Sequence, residues 1–498
     1  MALIGIDIGT TGCKCTIFNH EGIIQSYEYW EYSDISPEDG WFELNPNEIW
    51  DSVKYVIKNA ISKYSGEKVL GLSVSSLGEA AVLVDRYGKV LYNSLIYTDK
   101  RGKEQVERLE EKLGKEKIVE KTGLSPHAMY TISKLMWFKD NKPDIYNKTW
   151  KALLFGDFIL YKLGNKAVID YSLASRTMAF NVKELKWDKE ILKAAEIKEN
   201  IFADTVAAGT IIGDINEEIA EELGLPKDLK LVSGAHDQVC ATIGAGVTKV
   251  GTAMDGIGTV ECITPIFDNN IDVNDISKNN FPCVPFVNNK YTTYAFNFTG
   301  GSLLKWYRDT LGYEEIIEGE KLGKSPYEIF NERAAKKPTD ILVLPHFAGS
   351  GTPYMNPDSK GAFIGLDFNV TKGHIFRSLL EGVTYEMKYN IECLKEAGIE
   401  IEEFRACGGG ARSDLWLQIK ADIMNKKVVA LDVDEAGTLG TIILVGVALG
   451  IYTSLEEAIE KLVRVKKEFY PNEENVRIYE KNYLRYKKIY EAVYNVMN

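Results

Sequence analysis

The alternation of apolar and polar positions opens with an unbroken strand pattern. Leu3–Asp7 and Lys14–Phe18 read as strands, and Gly22–Tyr29 as a third. Asn19-His-Glu-Gly22 supplies hairpin residues between the last two. A helical pattern follows. Asn45 is placed to cap it, Pro46 suits its first position, and it runs to about Lys63. Val69–Ser75 and Ala80–Asp85 return to strand character. A three-stranded meander, a helix and a further strand make one unit.

The unit recurs. Met254-Asp-Gly-Ile-Gly-Thr-Val-Glu-Cys-Ile263 repeats the sequence of apolar residue, Asp, Gly, Thr and apolar strand, with a further strand expected through Tyr291–Asn297 and a helix from Ser302. This predicts an α/β chain with two related domains, residues 1–248 and 249–498, joined near Val247–Gly251. A length of 498 residues agrees with two cores rather than one.

Composition narrows the class. The chain is 45% apolar and 26% charged, and no apolar run reaches the ~18 residues of a membrane span. No basic segment followed by an apolar stretch and a cleavage site opens the sequence, so a cytoplasmic protein without membrane partners is expected. The net charge of −13 argues against a nucleic-acid partner, because phosphate backbones would be repelled. The mixed charges of Val463–Lys488 read as a solvated helix face. Seven Cys without a Cys-x-x-Cys, and five scattered His, suggest buried reduced thiols and no structural zinc.

Three glycine-rich turns follow apolar strands: Gly9–Gly12, Gly256–Thr259 and Gly408–Ser413. Glycine lets backbone amides approach an anion, and threonine adds hydroxyl donors, so the set favours a phosphate-rich ligand such as a nucleotide. The chain has no G-x-x-x-x-G-K-[ST] and no dinucleotide fingerprint. Asp7, a carboxylate beside the first turn, is suited to a divalent cation that offsets phosphate charge. Asp237 stands at a strand-to-helix turn in Gly234-Ala-His-Asp-Gln238, where it is either a helix cap or the base that phosphoryl transfer to a hydroxyl requires.

With these residues assembled, the chain resembles the FGGY carbohydrate kinases, of the superfamily that also holds actin, hexokinase and the heat-shock ATPases. The two family signatures fit at Met129-Tyr-Thr-Ile-Ser-Lys-Leu-Met-Trp-Phe-Lys-Asp-Asn141, and at Gly361-Ala-Phe-Ile-Gly-Leu366 followed by His374-Ile-Phe-Arg-Ser-Leu-Leu-Glu381. The likeness covers nearly the whole chain. It implies two ribonuclease H-like (actin-like ATPase) domains with a cleft between them, ATP and Mg2+ as cofactors, and a sugar or polyol as substrate. It also implies site residues. Gly9, Thr10, Thr11 and Lys14 would hold the ATP phosphates, with Gly258, Thr259 and Gly301 doing so from the second domain. Gly409, Gly410 and Ser413 would line the adenosine pocket, and Asp7 would hold magnesium largely through water. Asp237 would be the general base, and Glu79, Gln238 and Asp99 would serve the substrate.

The substrate is read from departures. Glycerol kinases carry Arg-Glu where this chain has Gly78-Glu79, while the Asp237-Gln238 pair looks like theirs. Xylulose kinases usually carry Met-His-Gly near the first position and Asp-Asn at the second. Tyr97-Thr-Asp-Lys-Arg101 resembles a segment common in the ketose kinases. The expectation is a kinase of a neutral sugar, a pentulose of the xylulose kind. The alternatives are a polyol kinase of the glycerol or erythritol type, or a nucleotide-binding regulator on the same fold. The oligomeric state is open, a homodimer included.

Overall fold

The computed structural model describes residues 1–433 and 435–497. The chain forms two compact units. The first comprises Met1–Thr248, Pro282–Thr292 and Glu435–Val463; the second comprises Lys249–Phe281, Thr293–Asp434 and Arg464–Asn498. One break between the units falls at 248/249. The units are nevertheless not two consecutive stretches, because 282–292 and 435–463 return to the first.

The first unit is built on a sheet in the order Ile211–Asp214, Lys230–His236, Val69–Ser76, β1 (Ala2–Ile8), β2 (Gly12–Asn19), β3 (Ile24–Glu31). The pairs β1/β2 and β2/β3 are antiparallel, while β1 runs parallel to Val69–Ser76, and that strand runs parallel to Lys230–His236. β1 is covered on both faces, which explains its continuous apolar run. Helix α1 (Pro46–Lys63) starts where its cap predicts: Asn45 Oδ1 accepts from the Asn47 amide at 3.0 Å. The helix Ala436–Ala448 packs on β1, on Val69–Ser76 and against the helix Asp237–Gly244. The two helices meet almost backbone to backbone. A Cβ on Gly440 would stand 1.8 Å from the Cys240 carbonyl oxygen, and one on Gly244 would stand 1.9 Å from that of Ala436. Only glycine permits this approach.

The second unit repeats the plan. Thr252–Ile257, Glu261–Phe267 and Ala295–Asn297 form the antiparallel meander, and the parallel strands Glu403–Cys407 and Lys427–Leu431 and the antiparallel Val465–Phe469 follow. The helix expected from Ser302 is Gly301–Leu311. No helix among the described residues is long and apolar enough to cross a membrane, and all seven cysteines are buried.

Candidate active site

In the first unit the chain leaves β1 at Ile8 and re-enters the sheet at Gly12. The Gly9 amide donates to the Gly12 carbonyl at 2.9 Å, and the Tyr32 hydroxyl donates to the carbonyls of Gly9 and Gly12 at 2.8 and 3.1 Å. The Thr10 and Thr11 side chains reach the surface. Sheet register builds the polar cluster beside this turn, since Asp7 pairs with Lys14 on β2 and with Ser75 on the parallel neighbour. Ser75 Oγ donates to Asp7 Oδ1 at 2.8 Å, and Lys14 Nζ lies 3.2 Å from Asp7 Oδ2 and 2.7 Å from Glu435 Oε2. Burial disfavours the Lys14 charge, but the two carboxylates outweigh it and hold the ammonium well above its usual range. Among the described residues no group of three His, Cys, Asp or Glu could enclose a metal. A single partly exposed carboxylate fits magnesium kept mainly by water and phosphate oxygens.

The second cluster of this unit surrounds Asp237, the first residue of its helix, with His236 in the cap position. Asp237 Oδ1 accepts from the Gln238 amide at 2.6 Å and lies 3.2 Å from His236 Nε2. Its side chain keeps 37% of its surface, yet it is closely surrounded. Burial, and then the charge of Asp7, push the carboxyl up to about 7 against the pull of the Gln238 amide. His236 is held neutral, first by burial and then by the charge of Arg176.

Glu79 reaches this cluster from the loop after Val69–Ser76. It is buried, with φ at +62°, a left-handed conformation that a glutamate rarely holds. Thr131 Oγ1 donates to its carbonyl at 2.6 Å, and Arg176 Nε donates to its Oε1 at 2.6 Å. The Arg176 guanidinium stands 5.3 Å from the Tyr130 ring. The Tyr97 hydroxyl is raised, first by burial and then by the charges of Glu79 and Asp237. Sequence reasoning missed Arg176. Nothing in the spacing of Ala174-Ser-Arg-Thr-Met178 signals it, because the fold brings it 97 residues back to Glu79. Tyr97 and Tyr130 both lie inside quoted segments whose roles were assigned to other residues.

Asp99 departs from expectation. Its side chain is fully buried, and Arg101 Nη2 lies 2.6 Å from Oδ2. The Phe42 amide also donates to Oδ2, and the Arg101 amide donates to Oδ1, at 2.8 and 2.9 Å. Arg101 in turn reaches Glu43 at 2.7 Å and lies over the Trp41 ring. Both oxygens of Asp99 are used inside the protein, so it braces the loop behind Tyr97 rather than offering a carboxylate to a ligand.

In the second unit the Gly258 turn sits on the start of a helix. Gly301 and Ser302 amides donate to the carbonyls of Gly258 and Thr259 at 2.8 and 3.0 Å. A separate cavity of about 140 Å³ is lined by Gly408, Gly409, Ala411, Arg412, Asp432 and Lys466, among others. Of the residues expected there, Gly409 lines it. Gly410 instead packs on Ile257 and Trp416. Ser413 Oγ accepts from the Trp416 amide as the cap of helix Asp414–Met424, and donates to Asn331 Oδ1 at 3.0 Å. Asp255 does not reproduce Asp7. Measured from the Gly-Thr pair it stands one residue earlier than Asp7 does from Gly9-Thr10, and successive strand residues face opposite ways. It lies fully buried against Lys420, which also pairs with Glu261.

Residues 2–244 match the N-terminal domain, and residues 275–449 the C-terminal domain, of the FGGY family of carbohydrate kinases. The chain belongs to that family and is a carbohydrate kinase, a phosphotransferase. A glycerol kinase of Thermococcus gammatolerans is 32% identical over 480 residues, covering 94% of this chain and 93% of that one. A gluconokinase of Bacillus licheniformis is 30% identical over 487 residues, covering 96% and 93%. The crystal structure of a ligand-bound xylulose kinase from Lactobacillus acidophilus matches with a TM-score of 0.89 at 26% identity, covering 99% of this chain and 98% of that one. These relatives carry the names of three different acceptors, so membership fixes the type of reaction and leaves the acceptor to this chain's own residues. It also sets aside a regulator without kinase activity.

Proposed function

We propose that the chain transfers the γ-phosphate of ATP to a hydroxyl of a neutral sugar, a pentulose of the xylulose type, with Asp237 as general base. The observation that carries this reading is an accessible carboxyl at the head of a helix, raised to about 7. A base works best when its pKa lies near the working pH. As the acceptor oxygen bonds to the γ-phosphorus, Asp237 takes the hydroxyl proton. The bond from the γ-phosphorus to the bridging oxygen breaks, and ADP carries away that electron pair. Thr10, Thr11 and Lys14 hold phosphate oxygens on the turn that Gly9 shapes, Thr259 supplies donors on the turn that Gly258 and Gly301 close, and Gly409 receives the adenosine. Magnesium held by Asp7 and water would offset charge on the phosphates.

Charge supports a neutral acceptor. Asp237 stands near Glu79 and within the influence of Asp7, and the Arg176 charge beside them is paired with Glu79. An aldonate such as gluconate would enter against net negative charge. Gln238, partly exposed beside Asp237, supports a second reading, a polyol of the glycerol or erythritol type. ADP release measured over a panel of pentuloses, hexuloses, polyols and gluconate tests both. The highest kcat/KM is expected with a pentulose. A preference for glycerol selects the second reading, and a preference for gluconate overturns the neutral acceptor altogether.

A further inference from the structure

The family resemblance gives Glu79 to the acceptor but assigns nothing to the cation that holds it. Arg176 follows the short helix Tyr171–Ser175 and is only 6% exposed. Its Nε and Nη2 converge on one oxygen, Glu79 Oε1, with Nε at 2.6 Å, and Oε2 has no protein partner among the described residues. The glutamate is pinned at both ends, by Arg176 at its carboxylate and by Thr131 at its carbonyl. A non-glycine residue keeps a left-handed backbone only where its surroundings enforce it, and such places concentrate at ligand sites.

The residue before Glu79 is fitted to the same arginine. A Cβ on Gly78 would stand 3.0 Å from Arg176 Cγ and 3.1 Å from His236 Cδ2. A side chain at position 78 would therefore press on the stem of Arg176 and the ring of His236, which would have to give by a few tenths of an ångström. The charge of Arg176 also reaches the two residues next along: it helps keep His236 neutral and draws the Asp237 carboxyl down against the stronger effect of burial.

We propose that Arg176 is the positioning residue of the acceptor pocket: it holds Glu79 by one oxygen so that the other is presented to the acceptor hydroxyls, and glycine at 78 is what lets it stand there. This rests on the reading of Glu79 as an acceptor-binding residue. Arg176 itself need not touch the acceptor. Its removal leaves the glutamate buried and free to turn, which weakens hydroxyl binding without reaching the phosphate turn at Gly9–Gly12.

Steady-state kinetics with D-xylulose and with glycerol as acceptors, each at saturating ATP, and with ATP varied at saturating acceptor, test this on the full chain. Arg176→Met is expected to raise the acceptor KM about 10- to 100-fold, the range for losing a hydrogen bond to a charged group, while the KM for ATP stays within about twofold. Arg176→Lys keeps the charge but not the planar fork, and should fall between. Gly78→Ala should reproduce the Arg176→Met effect by displacing the stem, and the double variant should be no worse than either single one, because both remove the same interaction. If Arg176→Met does not fold, Gly78→Ala and Arg176→Lys carry the same comparison. Folded variants with an unchanged acceptor KM, or with additive effects, overturn the proposal alone. A wild-type chain that phosphorylates neither acceptor overturns the underlying reading, and the proposal with it.

Discussion

Lys420 Nζ lies 2.8 Å from Asp255 Oδ2, and neither side chain exposes any surface. The same ammonium pairs with Glu261, also fully buried, which immediately follows the Gly258–Val260 turn. Lys420 thus ties both strands of that hairpin to the helix Asp414–Met424, whose N-terminus adjoins the Gly408 loop. Two carboxylates share one cation there, and burial raises Glu261 above the usual carboxylate range. Removing the cation strands both acids. Lys420→Met should cost about 3–5 kcal/mol of stability, the usual penalty for breaking a buried pair from one side. Denaturant unfolding followed by a probe in the second unit measures it. Replacing both acids along with the lysine, as Asp255→Asn, Glu261→Gln and Lys420→Met together, should recover most of the loss.

Asp237→Asn keeps the shape of the side chain but cannot take a proton. The turnover number should fall about 10²- to 10⁴-fold. Nucleotide affinity and melting temperature should stay near those of the unaltered chain. A folded variant with normal turnover would remove Asp237 from the chemistry.

The Asp237 carboxyl, raised to about 7 by burial and the charge of Asp7, must be ionised to act as a base. It is protonated below that pH, so kcat/KM for the acceptor should fall as pH drops through about 7, with one proton taken up. An acid limb in the ordinary carboxylate range near 4 would show that the free enzyme relies on another group. Carrying Asp237→Asn through the same series should abolish the limb in whatever activity remains.

For Asp99 the structure and the family resemblance make different predictions. As a brace for Arg101, its change to Asn should lower stability by about 3–5 kcal/mol and leave the acceptor KM within about twofold. As a substrate contact, it would raise the KM and leave the melting temperature in place. Thermal unfolding and acceptor kinetics on one preparation decide between them.

The meander, the cap of α1 and the repeat were legible in the sequence because each rests on local pattern: short apolar runs broken by turn residues, an Asn-Pro helix start, and a Gly-Thr turn between strands. Arg176 was not, because its meaning lies in a contact 97 residues away. Asp99 is the opposite case. Its segment is conspicuous in sequence, but the conspicuous residues are occupied with one another, Arg101 binding Asp99 and Glu43 at once. Asp255 belongs to the repeated segment but stands one step out of phase with Asp7, where it pairs with Lys420. The linear division at 248/249 could not show that 435–463 goes back to the first unit, because an apolar helix carries no label for the sheet it will cover.

That returning helix sets the order in which the molecule can be completed. Ala436–Ala448 covers β1 and Val69–Ser76 and locks against the helix that begins with Asp237. A ribosome releases residues 249–434 before it releases this segment. At about 5–20 residues per second, that is a delay on the order of 10–40 s. Throughout it the nascent first unit holds Asp237 on a helix that lacks the neighbour locked against it, and leaves an apolar sheet face uncovered. A chain cut short at residue 434 would stay in that condition permanently, an aggregation hazard rather than a smaller kinase.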